Sequence, residues 1–386
     1  MWDSIKNSAK PVVLYGTGDA AEKILKELDI RNIRVSGIFA SDGFVRDREF
    51  AGFKVTDYDT AKKTFGDMTV LLCFGSHRPE VIGNIVRISR EQDLYAPDLP
   101  VAGEGLFDKA FYEEHRHRLD AVRERLADDQ SRQVFDKVIE YKLGGRIEPL
   151  LECSAPEEDN WRLFLGENDS CGDEGVLSKD TGCGLPCDGS SATGKLFADL
   201  GAYTGDTVEL FRRIRGNSGD TVVALEPEPR NFRKLSENPA CIENTELINA
   251  AAWDADGNAF FEKGKGRGTR GRLPEGRADN CSDRGTHSED SAAATVRTQL
   301  RSLDSVLAGR CADFIKMDIE GAERNAVQGA AGTIKSFRPR MLVAAYHRTE
   351  DLFAVPETVL SIRPDYELYL RKDPAIPAWG VNYIFI

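Results

Sequence analysis

Twice along this chain, short β-branched runs alternate with stretches of helical spacing. Each series opens on a strand that runs into glycine: "PVVLYGTG" from Pro11 and "KLFADLGAYTG" from Lys195. Few folds accept that pattern. Parallel strands need a crossover between them, usually a helix, so the alternation predicts helix-covered parallel sheets. In the first series "PVVLYG", "RVSGIFA" and "MTVLLCFG" read as strands. "GDAAEKILKEL", "TDYDTAKKTF" and "PEVIGNIVRIS" read as helices, with Ala21, Ile24, Leu25 and Leu28 on one face. The series ends where Pro and Gly cluster in "YAPDLPVAGEG", which bounds a first α/β domain at 1–105.

Residues 107–143 are highly charged, with apolar residues at three- and four-residue steps, and Gly144–Gly145 stops them. They predict a helical connector over 106–165. Residues 166–193 are rich in Gly, Ser and Asp and read as a loop insertion. The second series fills 194–386. "LFADLG", "DTVVALEPE", "TELINAAAW" and "NAFFEKG" read as strands, with "DTVELFRRI" and "PRNFRKLSENP" as helices between them. Residues 263–294, polar and rich in Gly and Arg, read as an excursion. "YELYLR" and "VNYIFI" close the sheet as antiparallel end strands.

Charge narrows the partners. The net charge is -13, which disfavours nucleic acid and anionic membranes, since phosphate contacts need clustered Lys and Arg. The longest apolar runs are strand-sized, so none is expected to span a membrane. The N-terminus shows no secretory pattern, and the eight cysteines are scattered. Both point to a reduced, cytoplasmic setting.

The turn "DLGAYTGDT" carries the chemistry. In a dinucleotide fold such a turn sets backbone N–H groups and a helix N-terminus against pyrophosphate. Here Asp199 and Asp206 flank it, and two carboxylates would repel pyrophosphate. They suit a cationic guest, and S-adenosylmethionine carries a sulfonium and an ammonium but no phosphate. Asp206 also suits a helix N-terminus for its own sake. Glu226 ends the next strand, where a carboxylate accepts both ribose hydroxyls. Asn249 and the small residues after it end the third strand and leave room for an adenine.

With those residues in view, "FADLGAYTGDTVELF", "ALEPEPRNFRKL", "INAAAW", "SLDSVL", "FIKMDIEGAERNAVQGA" and "RPRMLVAAYH" resemble the successive motifs of the FkbM family of methyltransferases. The likeness covers about 195–371, and "IKMDIEGAE" is its most specific block. It implies the class I methyltransferase fold, a Rossmann-like and mostly parallel seven-stranded sheet, preceded here by a smaller Rossmann-like α/β domain and the helical connector. It implies S-adenosylmethionine as cofactor, with Asp199, Gly201, Gly205 and Glu226 lining its site. It favours a hydroxyl acceptor, so a small-molecule, sugar or nucleotide-sugar acceptor is expected. The excursion at 263–294 lies where the family has a shorter variable stretch.

Asp318, Glu320 and Glu323 follow the strand "DFIKM", and His347 ends "MLVAAYH". Ligands of open α/β sheets bind outside the carboxyl ends of strands. A hydroxyl acceptor must lose a proton, which suits either a histidine or a desolvated carboxylate. Asp318, Glu320 and His347 are therefore the candidate catalytic set, with His347 or Asp318 as base and the other orienting the acceptor. Lys316 is placed to pair with Asp318 from the same strand, and Glu323 reads as a first-turn helix acid. No fixed ligand spacing joins these residues, so no metal is expected. The same holds for Cys171, Cys183 and Cys187 in the loop insertion.

The first glycine turn, Gly16 and Gly18 with Asp42 beyond the second strand, could hold a nucleotide. That leaves two rivals: a non-catalytic nucleotide- or nucleotide-sugar-binding protein with two α/β units, and an NAD-linked enzyme. The oligomeric state is not readable from the residues.

Overall fold

A computed structural model describes every residue except 42–44, 46–48, 168–193, 217 and 263–294. Asp42, the expected loop insertion with Cys171, Cys183 and Cys187, and the excursion at 263–294 thus lie outside the described residues. The chain divides into two compact units. One is Met1–Glu157 with Arg348–Glu350 and Leu370–Val381; the other is Glu158–His347 with Asp351–Tyr369 and Asn382–Ile386.

The first unit holds β1 (Val12–Tyr15), β2 (Val35–Phe39), β3 (Glu49–Phe50), β4 (Phe53–Thr56), β5 (Thr69–Leu72) and β6 (Asp93–Tyr95), in the order β3-β4-β2-β1-β5-β6. All pairs are parallel except β3 with β4. Every residue of β1 and β5 is buried, as a strand covered on both faces requires. Helix Asp19–Ile30 buries Ala21, Ile24 and Leu28, the spacing of a single helical face.

Residues expected as one connector group with this unit up to Glu157. The long charged stretch is two helices, Lys109–Arg125 and Asp129–Gly144. Asp108 and Asp128 cap them, accepting from the N–H of Phe111 and Ser131, and Gly145 ends the second at φ 71. Apolar periodicity alone cannot show such a break; the Asp-128 cap makes it.

The second series builds β7 (Leu196–Leu200), β8 (Thr221–Leu225), β9 (Thr245–Ile248), β10 (Ala251–Ala252), β11 (Gly257–Glu262), β12 (Thr295–Arg301), β13 (Phe314–Met317), β14 (Arg340–Ala344), β15 (Leu368–Lys372) and β16 (Val381–Phe385). Seven of them form one sheet in the order β15-β16-β14-β13-β7-β8-β9. Its β9–β8–β7–β13–β14 portion is parallel, and β16 runs antiparallel to β14. The order reverses between β7 and β13, which opens a crevice at their carboxyl ends.

One sequence reading is corrected here. "TELINAAAW" is not one strand: Ile248 ends β9, and Ala251–Ala252 join a separate three-stranded sheet, β10-β12-β11. The strand "NAFFEKG" belongs to that small sheet as β11, paired antiparallel with β12.

An aromatic core fixes the root of β7. Phe197 stacks on Phe211 of helix Asp206–Arg215 with centroids 4.6 Å apart, and Phe164 meets Phe314 of β13 edge-on at 5.7 Å. All four are buried. Full burial of each such ring contributes roughly 1.5–3 kcal/mol, so the strand and the helix that flank the glycine turn are tied together from below.

Candidate active site

The turn after β7 is held by backbone bonds. Gly201 and Ala202 both donate to the Leu225 carbonyl at 3.0 Å, and Gly205 donates to the Ala202 carbonyl at 2.8 Å. Gly201 (φ 86) and Gly205 (φ 95) take left-handed backbone, and Gly205 caps helix Asp206–Arg215. A Cβ on Gly201 would lie 2.0 Å from the backbone oxygen of Asp318. The glycine turn and the loop of catalytic candidates therefore touch backbone to backbone.

Asp199 is fully buried beneath this turn. Its Oδ2 accepts from the Thr207 hydroxyl, and its Oδ1 is ion-paired with Lys316 Nζ at 3.1 Å. That Oδ1 has the Lys316 ammonium as its charged neighbour. Lys316 was expected to pair with Asp318 along one strand. Strand register instead sets it opposite Asp199, because β13 and β7 run side by side with Lys316 facing Asp199. Asp206 begins the helix and is exposed.

Glu226 follows β8 and is almost wholly buried. It accepts from the N–H of Tyr203 at 3.0 Å and of Glu228 at 2.9 Å. Burial pushes its carboxyl up to about 7 in spite of those donors. Two oxygens offer about four acceptor sites, so room is left for hydroxyls. Asn249 is exposed next to it, and its Nδ2 donates to the Glu226 carbonyl at 2.8 Å. Its amide thus braces the loop that carries Glu226.

The second cluster follows β13 and β14. Asp318 lies at its mouth with 38% of its side chain exposed, and Tyr346 donates its hydroxyl to Oδ1 at 3.0 Å. His347 comes three residues after β14 rather than at its last position, and is buried. Its Nε2 lies 3.4 Å from Asp318 Oδ1, and its Nδ1 lies 2.8 Å from Glu323 Oε1. Burial alone would lower the histidine, but Glu323 first and Asp318 second outweigh it and raise it to about 10. The ring is an imidazolium at neutral pH.

Glu323 does open a helix, Glu323–Gly329, but as a buried acid that also accepts from the N–H of Ile319 at 2.9 Å. Glu320 is exposed and takes φ 57 beside Gly321 at φ 100, which makes the sharp turn out of β13. Asp318, Glu323 and His347 are the one trio among the described residues whose ligand atoms gather within 4.8 Å. Both ring nitrogens of His347 face carboxylates, so the imidazolium bridges Asp318 and Glu323. Tyr346 is the member of this cluster that the sequence reading did not name, whereas Lys316 and Glu323 were named without the partners they have here. The buried helix-start acid five residues after Asp318 was the available signal.

Residues 199–367 match the family model of the methyltransferase FkbM domain. They are an FkbM methyltransferase domain. The chain thus carries a methyltransferase domain of the FkbM type. The crystal structure of FkbM from Methylobacillus flagellatus KT is similar at 18% identity and a TM-score of 0.62, covering 98% of this chain and 90% of that one. That likeness shows the fold, a class I methyltransferase sheet with an α/β unit before it. Aeropyrum pernix fibrillarin, solved with natively bound S-adenosyl-L-methionine, matches at 12% identity over 50% of this chain and 66% of its own, with a TM-score of 0.30 that bears on nothing further. Among curated proteins none matches the chain.

In the first unit, the glycine turn after β1 stands at the β1–β5 switch of its own sheet. Gly16 (φ 107) lies under the Phe74 ring, 2.5 Å from where a Cβ would sit, and Gly18 (φ 132) caps helix Asp19–Ile30. Among the described residues, no helix is long and apolar enough to cross a membrane. The cysteines at 73, 153, 241 and 311 are free.

Proposed function

We propose that this methyltransferase transfers the methyl group to a hydroxyl of a small-molecule or sugar acceptor, with Asp318 as the general base. The observation that carries this is the contact between the Gly201 turn and the Asp318 backbone, which sets the candidate donor loop against the half-exposed carboxylate. The reaction is an in-line displacement. The acceptor oxygen forms its bond to the methyl carbon as the carbon–sulfur bond breaks, and the sulfonium leaves as a neutral thioether. The hydroxyl proton passes to Asp318 as positive charge grows on the oxygen. Holding the three reacting atoms collinear is the larger part of the work.

His347 is an imidazolium and has no lone pair with which to take a proton. Its place in this reading is to orient Asp318, together with the Tyr346 hydroxyl. Glu320, exposed on the same turn, faces the acceptor side. Gly201, Gly205, Glu226 and Asn249 frame the donor, with Glu226 accepting from the ribose hydroxyls. The first unit's glycine loop supports a nucleotide-linked sugar as a member of the acceptor class, and the free cysteines support a reducing, cytoplasmic setting.

The test is a screen of sugars, nucleotide-sugars and small polyols with S-adenosylmethionine, read by mass for one added CH2 and by NMR for its position. Methylation on oxygen that Asp318→Asn suppresses supports the reading. Methylation on nitrogen or carbon, or full activity in that variant, sinks it.

A further inference from the structure

Lys316 is a buried cation that the transfer chemistry does not use. It is the penultimate residue of β13, 5% exposed, with all its neighbours in the strand buried. Its ammonium donates to the Gly201 carbonyl at 2.9 Å and faces Asp199 Oδ1 at 3.1 Å. Asp199 in turn receives the Thr207 hydroxyl from the first turn of helix Asp206–Arg215. One chain of polar contacts therefore runs from β13 through the glycine turn into the helix that follows it.

Two facts bear on what this chain of contacts does. Asp199 has no exposed surface, so a bound donor cannot reach its carboxylate. Its Oδ1 has Lys316 as its charged neighbour, 3.1 Å away. Removing the ammonium would leave a buried charge uncompensated, which is far costlier than removing both partners together. The carbonyl of Gly201 would also lose its donor, in a residue whose left-handed backbone has no side-chain packing to hold it.

We propose that Lys316 is a positioning residue for the methyl donor: it fixes the Gly201 carbonyl and the Asp199 carboxylate, and so sets the shape of the glycine turn against which the donor lies. Asp199 then acts on the donor only through the turn. The ammonium also faces Asp318 and Asp206, and those carboxylates with Asp199 raise it although burial opposes them. One lysine thereby offsets part of the acidic lining without reversing its sign, which leaves the turn suited to a cation. The proposal rests on the reading that this second glycine turn holds the donor.

The experiment measures S-adenosylhomocysteine binding by calorimetry and donor and acceptor KM on the full chain. The variants are Lys316→Met and Lys316→Met with Asp199→Asn, with thermal melts alongside. The single variant should lose at least tenfold in donor affinity, raise donor KM in step and leave acceptor KM unchanged. A merely destabilised protein would not split the two KM values. The double variant, having no orphaned carboxylate, should melt higher than the single one and recover part of the affinity while staying weaker than wild type. If Lys316→Met fails to fold, the double variant decides: wild-type affinity there overturns the proposal, and reduced affinity in a folded double variant supports it. Wild-type affinity in a folded single variant overturns it too. Failure of the wild-type chain to bind S-adenosylhomocysteine, by contrast, removes the donor-loop reading itself and the proposal with it.

Discussion

His347 Nδ1 stands 2.8 Å from Glu323 Oε1, and both side chains have lost nearly all contact with water. A charge pair so placed depends on both members. Glu323→Ala leaves a buried imidazolium facing only Asp318, and breaking such a pair costs about 3–5 kcal/mol. The melting temperature should fall accordingly, whereas His347 and Glu323 replaced together by Gln and Met should cost much less. Equal losses in the two variants would show that the pair is not coupled.

The same pair predicts the pH course of stability. The folded-state pKa of His347 is raised from 6.5 to about 10. Below 6.5 both folded and unfolded chains carry the proton, and the pair contributes fully. Between 6.5 and about 10 the unfolded chain gives up its proton first, so the contribution drains away as pH rises. Glu323 is shifted the other way; burial opposes the shift, and the charge of His347 wins. Its share is present above the ordinary value of 4.5 and is lost as pH falls below it. Thermal melts from pH 5 to pH 10 should fall on the alkaline side in wild type and flatten there in His347→Gln. Parallel curves for the two proteins would refute the assignment.

Asp318→Asn removes the proposed base and keeps the shape of the side chain. General base catalysis is worth about 10²–10⁴-fold, so kcat should drop by that order while S-adenosylhomocysteine affinity stays as it was. Tyr346→Phe frees one carboxylate oxygen, since the Tyr346 hydroxyl donates to Asp318. A smaller fall in kcat is expected there, again with donor affinity kept. Steady-state kinetics beside calorimetry separates the two effects.

The alternation of strands and helices was legible because each strand is a buried apolar run and each helix has one apolar face; "VVLY" and Ala21, Ile24 and Leu28 are cases in point. The glycines of the second turn were legible too, since strand, glycine and helix occur in that order on the chain. The Lys316–Asp199 contact was not, because it depends on the register of β13 against β7, whose paired residues lie 117 positions apart in sequence. Glu323 was read as a helix-start acid, which it is; that it is buried against His347 follows from how β14 lies beside β13. The split of "TELINAAAW" between two sheets had no local signal, since Ala and Asn suit either arrangement.

Glu226 predicts a proton-linked donor affinity. Burial raises its carboxyl to about 7, and the proposed acceptance of both ribose hydroxyls needs the ionised form. Donor binding below pH 7 must therefore expel a proton, and affinity should rise as pH climbs through about 7 before levelling off. Calorimetry at pH 6.5 in two buffers of different ionisation heat should show proton release in wild type. Glu226→Gln should bind more weakly and show none. An identical proton count in both proteins would mean that Glu226 does not titrate on binding.

Gly201 and Gly216 make a controlled comparison, since both have left-handed backbone, at φ 86 and φ 63. Alanine is strained at either, and at Gly216, where ψ is -149, the backbone lies where essentially only glycine is found, at a cost on the order of 1–3 kcal/mol. Among the described residues nothing lies within 4 Å of a Cβ on Gly216, so Gly216→Ala should lower the melting temperature through backbone strain alone and bind S-adenosylhomocysteine as wild type does. A Cβ on Gly201 would stand 2.0 Å from the Asp318 backbone oxygen and 3.0 Å from Ile319 Cγ2. Neither is the end of a long flexible chain, so the donor turn and the Asp318 loop must move apart. Gly201→Ala should therefore lose donor affinity and kcat together, well beyond its loss of stability. If it binds the donor as Gly216→Ala does, the backbone contact between the two loops is not what aligns donor and base.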